Sequence, residues 1–418
     1  MDSIYVRGGI GLCGKVKIQG SKNAALPILA ATILTGDRVV IQNCPKISDV
    51  YGMVRILESL GCKARWEKDA LALQTDVLLD GKLPREDMGS MRSSIFLLGS
   101  LLGRTGHAEL TAPGGCVIGK RPIDIHIQAL EQMGVSFWEE AEILHARADA
   151  GIHGCDVTLA SPSVGATENV VLCAVTAEGS TILRGAAREP EVQELCRFLN
   201  ALGARIEGIG ETVLTIEGVQ RLKGATHRIP ADRIVAGTYL LSGFVTGGEI
   251  YLEEAPIEQM EAVIDTAQRM GANVMATGDG IYIQYPRRAG VMPFLETAVY
   301  PGFPTDLQSV LLAVRCTGEG STILRENIFE NRFRVVEELR KMGADIEELD
   351  EKSVLINGIS RLKGSTIISR ELRGGAALVV AALGAKGGTW IHGRHFIDRG
   401  YENIARDFRE LGARIVSG

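Results

Sequence analysis

Val335-Val336-Glu337-Glu338-Leu339-Arg340-Lys341-Met342-Gly343-Ala344-Asp345-Ile346 decides how this chain is built. Its apolar residues recur at helical spacing up to Met342, and Gly343 stands where a helix can end in the left-handed region without a Cβ clash. The ending then returns five times in nearly the same words: Leu60-Gly61-Cys62, Met133-Gly134-Val135, Leu202-Gly203-Ala204, Met270-Gly271-Ala272 and Leu411-Gly412-Ala413. Successive glycines are 73, 69, 68, 72 and 69 residues apart. Self-similarity at a fixed period outranks any local motif as evidence of architecture. A period near 70 is too long for a typical solenoid repeat, so six units in a closed globular arrangement are expected.

Each unit reads as helix, short strand, loop, second helix ending at Leu/Met-Gly, then strands. The fifth shows it best, with a helical run from Asp306 to Cys316, a strand over 321–325, a second helix from Arg332 to Met342, and closing strands at 344–346 and 354–356.

The composition belongs to a globular α/β protein. At 418 residues the length favours two or three domains, and 45% hydrophobic content is ample for buried cores. The formal net charge is −6, from 45 Lys and Arg against 51 Asp and Glu, without a basic block. Nucleic acid is therefore not expected as a partner. The apolar stretches Ala24 to Leu34 and Ala376 to Ala385 fall short of a membrane span, and Met1-Asp2-Ser3-Ile4-Tyr5 lacks the features of a signal peptide, so a cytoplasmic location and no membrane partner are expected. Eight cysteines, at 13, 44, 62, 116, 155, 173, 196 and 316, include no Cys-x-x-Cys pair. Neither a disulfide framework nor a metal site is indicated, and His153 with Cys155 lacks further ligands. No residue cluster implies a cofactor.

Gly9-Ile10-Gly11-Leu12-Cys13-Gly14 matches a dinucleotide-binding pattern and follows a strand at 4–6. The residues after it, Lys15-Val16-Lys17-Ile18-Gln19, alternate with period two, whereas the fingerprint requires a helix there. The segment is expected to be a hairpin turn instead.

Counting back 37 to 42 residues from each repeated glycine reaches the start of each unit's first helix: Lys22, Arg92, Gly165, Arg233, Asp306 and Arg373. Cations at a helix start are electrostatically disfavoured unless an anion sits there. Four in equivalent places point to an anion-binding wall. Asp306 is the one carboxylate among these starts. With Thr305 as N-cap it reads as an ordinary first-turn acid, or as a general base facing an anionic substrate. The loop Thr111 to Asp124 contains Pro113-Gly114-Gly115-Cys116 and Lys120-Arg121-Pro122. The neighbouring cations would raise the thiolate fraction of Cys116, fitting it for proton transfer or attack by an electrophile; a cysteine tucked under a turn is the other reading.

Seven stretches, in order along essentially the whole chain, resemble the UDP-N-acetylglucosamine 1-carboxyvinyltransferase branch of the enolpyruvyl transferase family. They are Gly20-Ser21-Lys22-Asn23-Ala24-Ala25, the loop from Pro113 to Pro122, Ser163-Val164-Gly165-Ala166-Thr167-Glu168, Ala187-Arg188-Glu189-Pro190-Glu191, Phe303-Pro304-Thr305-Asp306, Phe329-Glu330-Asn331-Arg332-Phe333 and Ile397-Asp398-Arg399-Gly400-Tyr401-Glu402. The resemblance implies an inside-out α/β barrel of two domains with three repeats each, residues 21–230 and residues 1–20 with 231–418, and a site in the cleft between them. It implies transfer of the enolpyruvyl group of phosphoenolpyruvate to the 3′-hydroxyl of UDP-N-acetylglucosamine, the committed step of peptidoglycan synthesis.

On the matching positions, the resemblance implies that Lys22, Arg121 and Arg399 hold phosphoenolpyruvate, with Arg92 and Arg373 extending the wall. Asn23 and Asp306 would contact the reacting hydroxyl, Asp306 taking its proton. Arg121, Pro122, Asp124, Ser163, Val164, Gly165 and Asp306 would line the UDP-sugar, and Ile328 and Glu371 complete the substrate contacts. Cys116 would act in proton transfer or product release and be alkylated by fosfomycin. The family usually has Asp-Leu-Arg where this chain has Glu371-Leu372-Arg373. That departure leaves room for a UDP-sugar-binding paralogue of low activity; the sister enzyme acting on shikimate 3-phosphate is the nearest enzymatic rival.

Overall fold

The computed structural model describes residues 2–79, 92–111 and 123–418. Cys116, Arg121 and Pro122, and the side chain of Arg92, lie outside the described residues. The chain forms two compact units, the first within residues 20–230 and the second built from the residues up to Gln19 together with Ala231–Gly418.

All six repeated glycines have positive φ: 94° at Gly61, 90° at Gly134, 102° at Gly203, 96° at Gly271, 91° at Gly343 and 88° at Gly412. After each, the next backbone N–H reaches back to the carbonyl five residues earlier, as from Cys62 to Leu57 (3.0 Å), Ala344 to Leu339 (3.1 Å) and Ala413 to Phe408 (2.8 Å). This Schellman closure satisfies carbonyls that the helix end leaves open, and its left-handed residue favours Gly.

Among the described residues the first unit holds three inner helices, α1 (Lys22–Ala31), α2 (Phe96–Thr105) and α3 (Val164–Ala174). The second holds α4 (Arg233–Ser242), α5 (Gln308–Arg315) and α6 (Leu372–Gly384). α4, α5 and α6 are buried along their whole length, which makes them the core of the unit, and their polar residues lie mostly toward the ends. The strands around them alternate, as in Val213–Glu217 and Ser321–Arg325, with one face buried and one in water. The helices are thus inside and the sheets outside. Where α2 meets α3, a Cβ on Gly99 would lie 2.4 Å from the Asn169 carbonyl oxygen and one on Gly103 2.8 Å from that of Leu172, so glycine permits the approach.

Among the described residues, five of the six sheets have four strands, and each of these has a parallel pair at one edge. The edge strands explain the chain path. Leu12–Lys17 precedes α1 but pairs with Gly248–Glu253 of the fourth repeat, while Thr226–Arg228 precedes α4 but pairs with Val39–Gln42 of the first. Each unit therefore carries an edge strand whose following helix is in the other. Ser3–Arg7 sits between Gly388–His392 and Arg414–Ser417, where it completes the sixth repeat's sheet.

This pairing corrects the hairpin expected at residues 9–14. A strand follows Gly9 and Gly11 and takes in Gly14, but Ser3–Arg7 and Leu12–Lys17 belong to different sheets, because both edges of Ser3–Arg7 are already occupied. The fifth repeat also starts more tightly than a continuous helix: Thr305–Leu307 is a 3-10 turn leading into α5, and Arg332–Arg334 another leading into the helix Val335–Lys341.

Candidate active site

Among the described residues, four of the six helix starts singled out by the repeat carry their own side-chain acceptors. Ser21 caps α1, its hydroxyl accepting from the Ala24 N–H at 3.3 Å, and Ser163 caps α3 in the same way with Ala166. Asp232 caps α4 by accepting from Ile234 (2.8 Å) and Val235 (3.0 Å). Glu371 caps α6, accepting from the Arg373 N–H at 2.7 Å and from the Gly374 N–H. Each cap satisfies donors the first turn leaves open, and the carboxylates also offset the macrodipole.

The cations beside these caps have partners within the protein. Lys22 Nζ is 2.7 Å from Asp49 Oδ2, with the two side chains only 12% and 7% exposed. Asp49 lies in the first turn of the helix Ser48–Ser59, where the dipole favours an anion. The Arg233 guanidinium stands 5.6 Å from the ring centre of Tyr300. A bound anion is therefore not the only way these helix starts are stabilised.

Around Asp306 the second unit gathers most of its expected site residues. Arg332 Nη2 donates to Asp306 Oδ1 at 2.8 Å and Arg373 Nη2 to Oδ2 at 2.6 Å. The arginine side chains are 2% and 6% exposed and that of Asp306 is 22% exposed, so the carboxylate is the part nearest water. Burial pushes the Asp306 carboxyl up, but the Arg373 and Arg332 guanidiniums outweigh it and hold the group well below the usual carboxylate range. For Arg373 burial works against the charge and Asp306 more than restores it. Asp232 adds a second negative charge near Arg373, while Arg332 Nε has no hydrogen-bond partner among the described residues and is a donor suited to a further anion.

Glu326 builds this corner. It is 1% exposed, and its two carboxylate oxygens each accept from the Thr305 hydroxyl at 3.0 Å, while Oε1 also accepts from the backbone N–H groups of Ile328 (2.8 Å) and Phe329 (3.0 Å). The turn bearing Asp306 is thereby tied to the segment bearing Ile328 and Arg332. Thr305 is consequently not the N-cap its position suggested: Pro304 holds that place and the hydroxyl points to Glu326. Glu371 likewise directs its carboxylate to its own helix start. Arg399 follows a short helix, Arg394–Ile397, and its neighbour Gly400 lies against Leu372 at the start of α6, where a Cβ would stand 2.8 Å from Leu372 Cδ2.

In the first unit, Asp124 is exposed in the first turn of the helix Asp124–Glu131. Two residues on, the His126 ring covers Gly165, where a Cβ would be 2.9 Å from Cε1, and its Nδ1 is 2.9 Å from Asn169 Nδ2. This contact packs the helix that begins at Asp124 against the start of α3, which Ser163, Val164 and Gly165 form. Asn23 follows Lys22 in the first turn of α1, and Arg92 opens the 3-10 turn Arg92–Ile95 ahead of α2.

Sequence reasoning did not single out Arg332, Glu326 or Asp49 as site residues. Arg332 stood inside a quoted motif, and the acid at 49 opens a helix. Glu326 carried no local signal, since its partners are assembled by the fold. Among the described residues, no group of three His, Cys, Asp or Glu side chains could hold a metal ion, and no helix is long and apolar enough to cross a membrane. Burial pushes the thiols of Cys173, Cys196 and Cys316 up to about 12, which removes them as thiolates near neutrality.

The family profile described as EPSP synthase (3-phosphoshikimate 1-carboxyvinyltransferase) matches residues 6–408. The UDP-N-acetylglucosamine 1-carboxyvinyltransferase 2 of Caldanaerobacter subterraneus subsp. tengcongensis is 42% identical over 416 residues, covering 100% of this chain and 99% of that one. The UDP-N-acetylglucosamine 1-carboxyvinyltransferase of Solidesulfovibrio magneticus is 42% identical over 417 residues, covering 99% of each. In fold, the chain is similar to the crystal structure of the enolpyruvyl transferase NikO from Streptomyces tendae, with a TM-score of 0.89 at 24% identity over 99% of this chain and 98% of that one. An EPSP synthase from Acinetobacter baumannii gives a TM-score of 0.72 at 19% identity over 100% and 99%. With that full-length likeness in sequence and the inside-out arrangement of helices and sheets, the chain belongs to the enolpyruvyl transferases, in their UDP-N-acetylglucosamine 1-carboxyvinyltransferase family.

Proposed function

We propose that the chain transfers the enolpyruvyl group of phosphoenolpyruvate to the 3′-hydroxyl of UDP-N-acetylglucosamine, releasing phosphate, as a cytoplasmic step of peptidoglycan synthesis. The observation that carries this reading is Asp306 held between Arg332 and Arg373, at 2.8 and 2.6 Å.

In the addition, C3 of the enol gains a proton while the sugar oxygen bonds to C2 and gives its proton to Asp306. The tetrahedral intermediate then loses a C3 proton, and phosphate departs with the electrons of its bond to C2, restoring the double bond. Asp306 is a weak base while both guanidiniums hold it. An anionic donor that draws Arg373 toward itself would return basicity to the carboxylate when the hydroxyl is in place. Lys22, Arg121 and Arg399 bind the donor's phosphate and carboxylate, Arg by paired hydrogen bonds that fix orientation. Arg92 adds positive charge, and Asn23 contacts the hydroxyl. Pro122, Asp124, Ser163, Val164, Gly165 and Ile328 line the nucleotide sugar, and Glu371 supports Arg373 from the cap position. Cys116 moves a proton at C3 or assists product release, and fosfomycin alkylates it.

Turnover in deuterium oxide tests the addition–elimination. Deuterium should enter the vinyl methylene of the product, because C3 passes through a methyl group. A product without deuterium would contradict the sequence of steps.

A further inference from the structure

Gln19 is the last residue of the second unit before the chain crosses into the first. It lies beyond the strand Leu12–Lys17, and its half-buried carboxamide bonds to a segment 381 residues away in sequence. Nε2 donates to the Gly400 carbonyl at 3.1 Å and Oε1 accepts from the Glu402 N–H at 2.8 Å. One amide thus satisfies a backbone acceptor and a backbone donor on a stretch that belongs to no strand, as a neighbouring strand would. The backbone oxygen of Gln19 accepts from the Asp232 N–H at 2.9 Å, and Asp232 caps α4.

The residue directly before this clamp is Arg399. Two other anchors hold the same stretch: Gly400 against Leu372, and the buried Tyr401, whose hydroxyl is 2.8 Å from Thr238 Oγ1. Those anchors rest on α6 and α4. Gln19 alone of the three belongs to the segment that leads into a crossing. We infer that Gln19 is a positioning residue for Arg399: its carboxamide sets the backbone from which the guanidinium reaches the anionic donor, and links that backbone to the chain crossing. The inference rests on the reading of Arg399 as a phosphoenolpyruvate ligand.

Gln19→Met keeps the length of the side chain and removes both hydrogen bonds. It should raise KM for phosphoenolpyruvate about tenfold, the effect of two modest hydrogen bonds, while KM for UDP-N-acetylglucosamine stays within about twofold and the melting temperature changes little. Gln19→Glu keeps the acceptor for Glu402 but sets an oxygen against the Gly400 carbonyl, so its effect on the donor KM should be at least as large. Arg399→Lys is measured in parallel. If it raises the donor KM while Gln19→Met does not, the inference fails and the functional reading stands. If Gln19→Met raises both KM values alike and lowers the melting temperature, Gln19 serves the fold only. If Arg399→Lys leaves the donor KM unchanged, the assignment of Arg399 fails and the inference falls with it.

Discussion

Replacing Asp306 by Ala would leave Arg332 and Arg373 facing one another with their shared carboxylate gone. Both guanidiniums are nearly inaccessible, at 2% and 6% exposure. Removing one partner of a buried ion pair costs roughly 3–5 kcal/mol, because the charge left behind is uncompensated. Asp306 has an exposed edge, at 22% of its side chain, which admits water and argues for the lower end, about 3 kcal/mol. For a unit of this size that corresponds to a fall of about 6–12 °C in melting temperature. A specific consequence follows from the charges: inorganic phosphate should restore more stability to Asp306→Ala than it adds to the unaltered protein, since it can sit between the two arginines. The pH dependence has a definite sign. The folded carboxyl is held below its unfolded value, so its contribution is present above roughly pH 4 and is lost as pH falls through the lower folded value. The difference in melting temperature between the two proteins should therefore persist from pH 8 to 5. Scanning calorimetry with and without phosphate measures all of this. An Asp306→Ala protein that melts with the unaltered one, or gains no more from phosphate, would refute the charge argument.

Three further outcomes are expected. Cys116→Ser should abolish the single covalent adduct formed with fosfomycin, read by intact mass; an adduct that persists would move the reactive thiol elsewhere, with exposed Cys13 the first position to check. Glu371→Asp should retain equal or higher turnover, because Asp is a preferred N-cap, whereas Glu371→Ala should cost about 1 kcal/mol of stability; a large loss of turnover in the Asp variant would show that the backbone has adapted to Glu. Glu168 is fully buried, and its carboxyl oxygens have no hydrogen-bond partner among the described residues. Burial, with Glu191 and Glu189 adding to it, pushes its carboxyl well above the usual range, so the folded protein holds a proton the unfolded chain releases and stability falls as pH rises. Glu168→Met should accordingly raise the melting temperature more at pH 8 than at pH 5, and an equal gain at both would argue against a protonated Glu168.

What the sequence reveals here depends on how locally each constraint acts. Gly343 and its five counterparts are legible because a Schellman closure asks for a left-handed residue within a few positions of a helix end. The helix starts at Lys22, Arg233 and Arg373 follow from the same repeat phase. The exchange of edge strands between repeats does not, since Leu12–Lys17 and Thr226–Arg228 read as ordinary strands and only the three-dimensional path says which neighbour each takes. The hairpin expected at 9–14 went wrong for that reason. At the site, Asp306 and Arg373 stand out by phase, but Arg332 reaches the carboxylate from another element, and Glu326 organises the corner through backbone N–H groups that leave no trace in composition. Asp232 and Glu371 act as caps through backbone N–H groups of their own helix starts; Asp232 went unnamed because it precedes the conspicuous Arg233, and Glu371 was expected against the substrate and not as a cap.

Phosphate release on mixing the protein with phosphoenolpyruvate and each acceptor in turn tests the central claim most directly. Release with UDP-N-acetylglucosamine, and neither with shikimate 3-phosphate nor without acceptor, is the predicted result. Release with shikimate 3-phosphate alone would contradict it in favour of the sister reaction, and silence with both acceptors from a protein that still binds the nucleotide sugar would contradict it in favour of a binding paralogue.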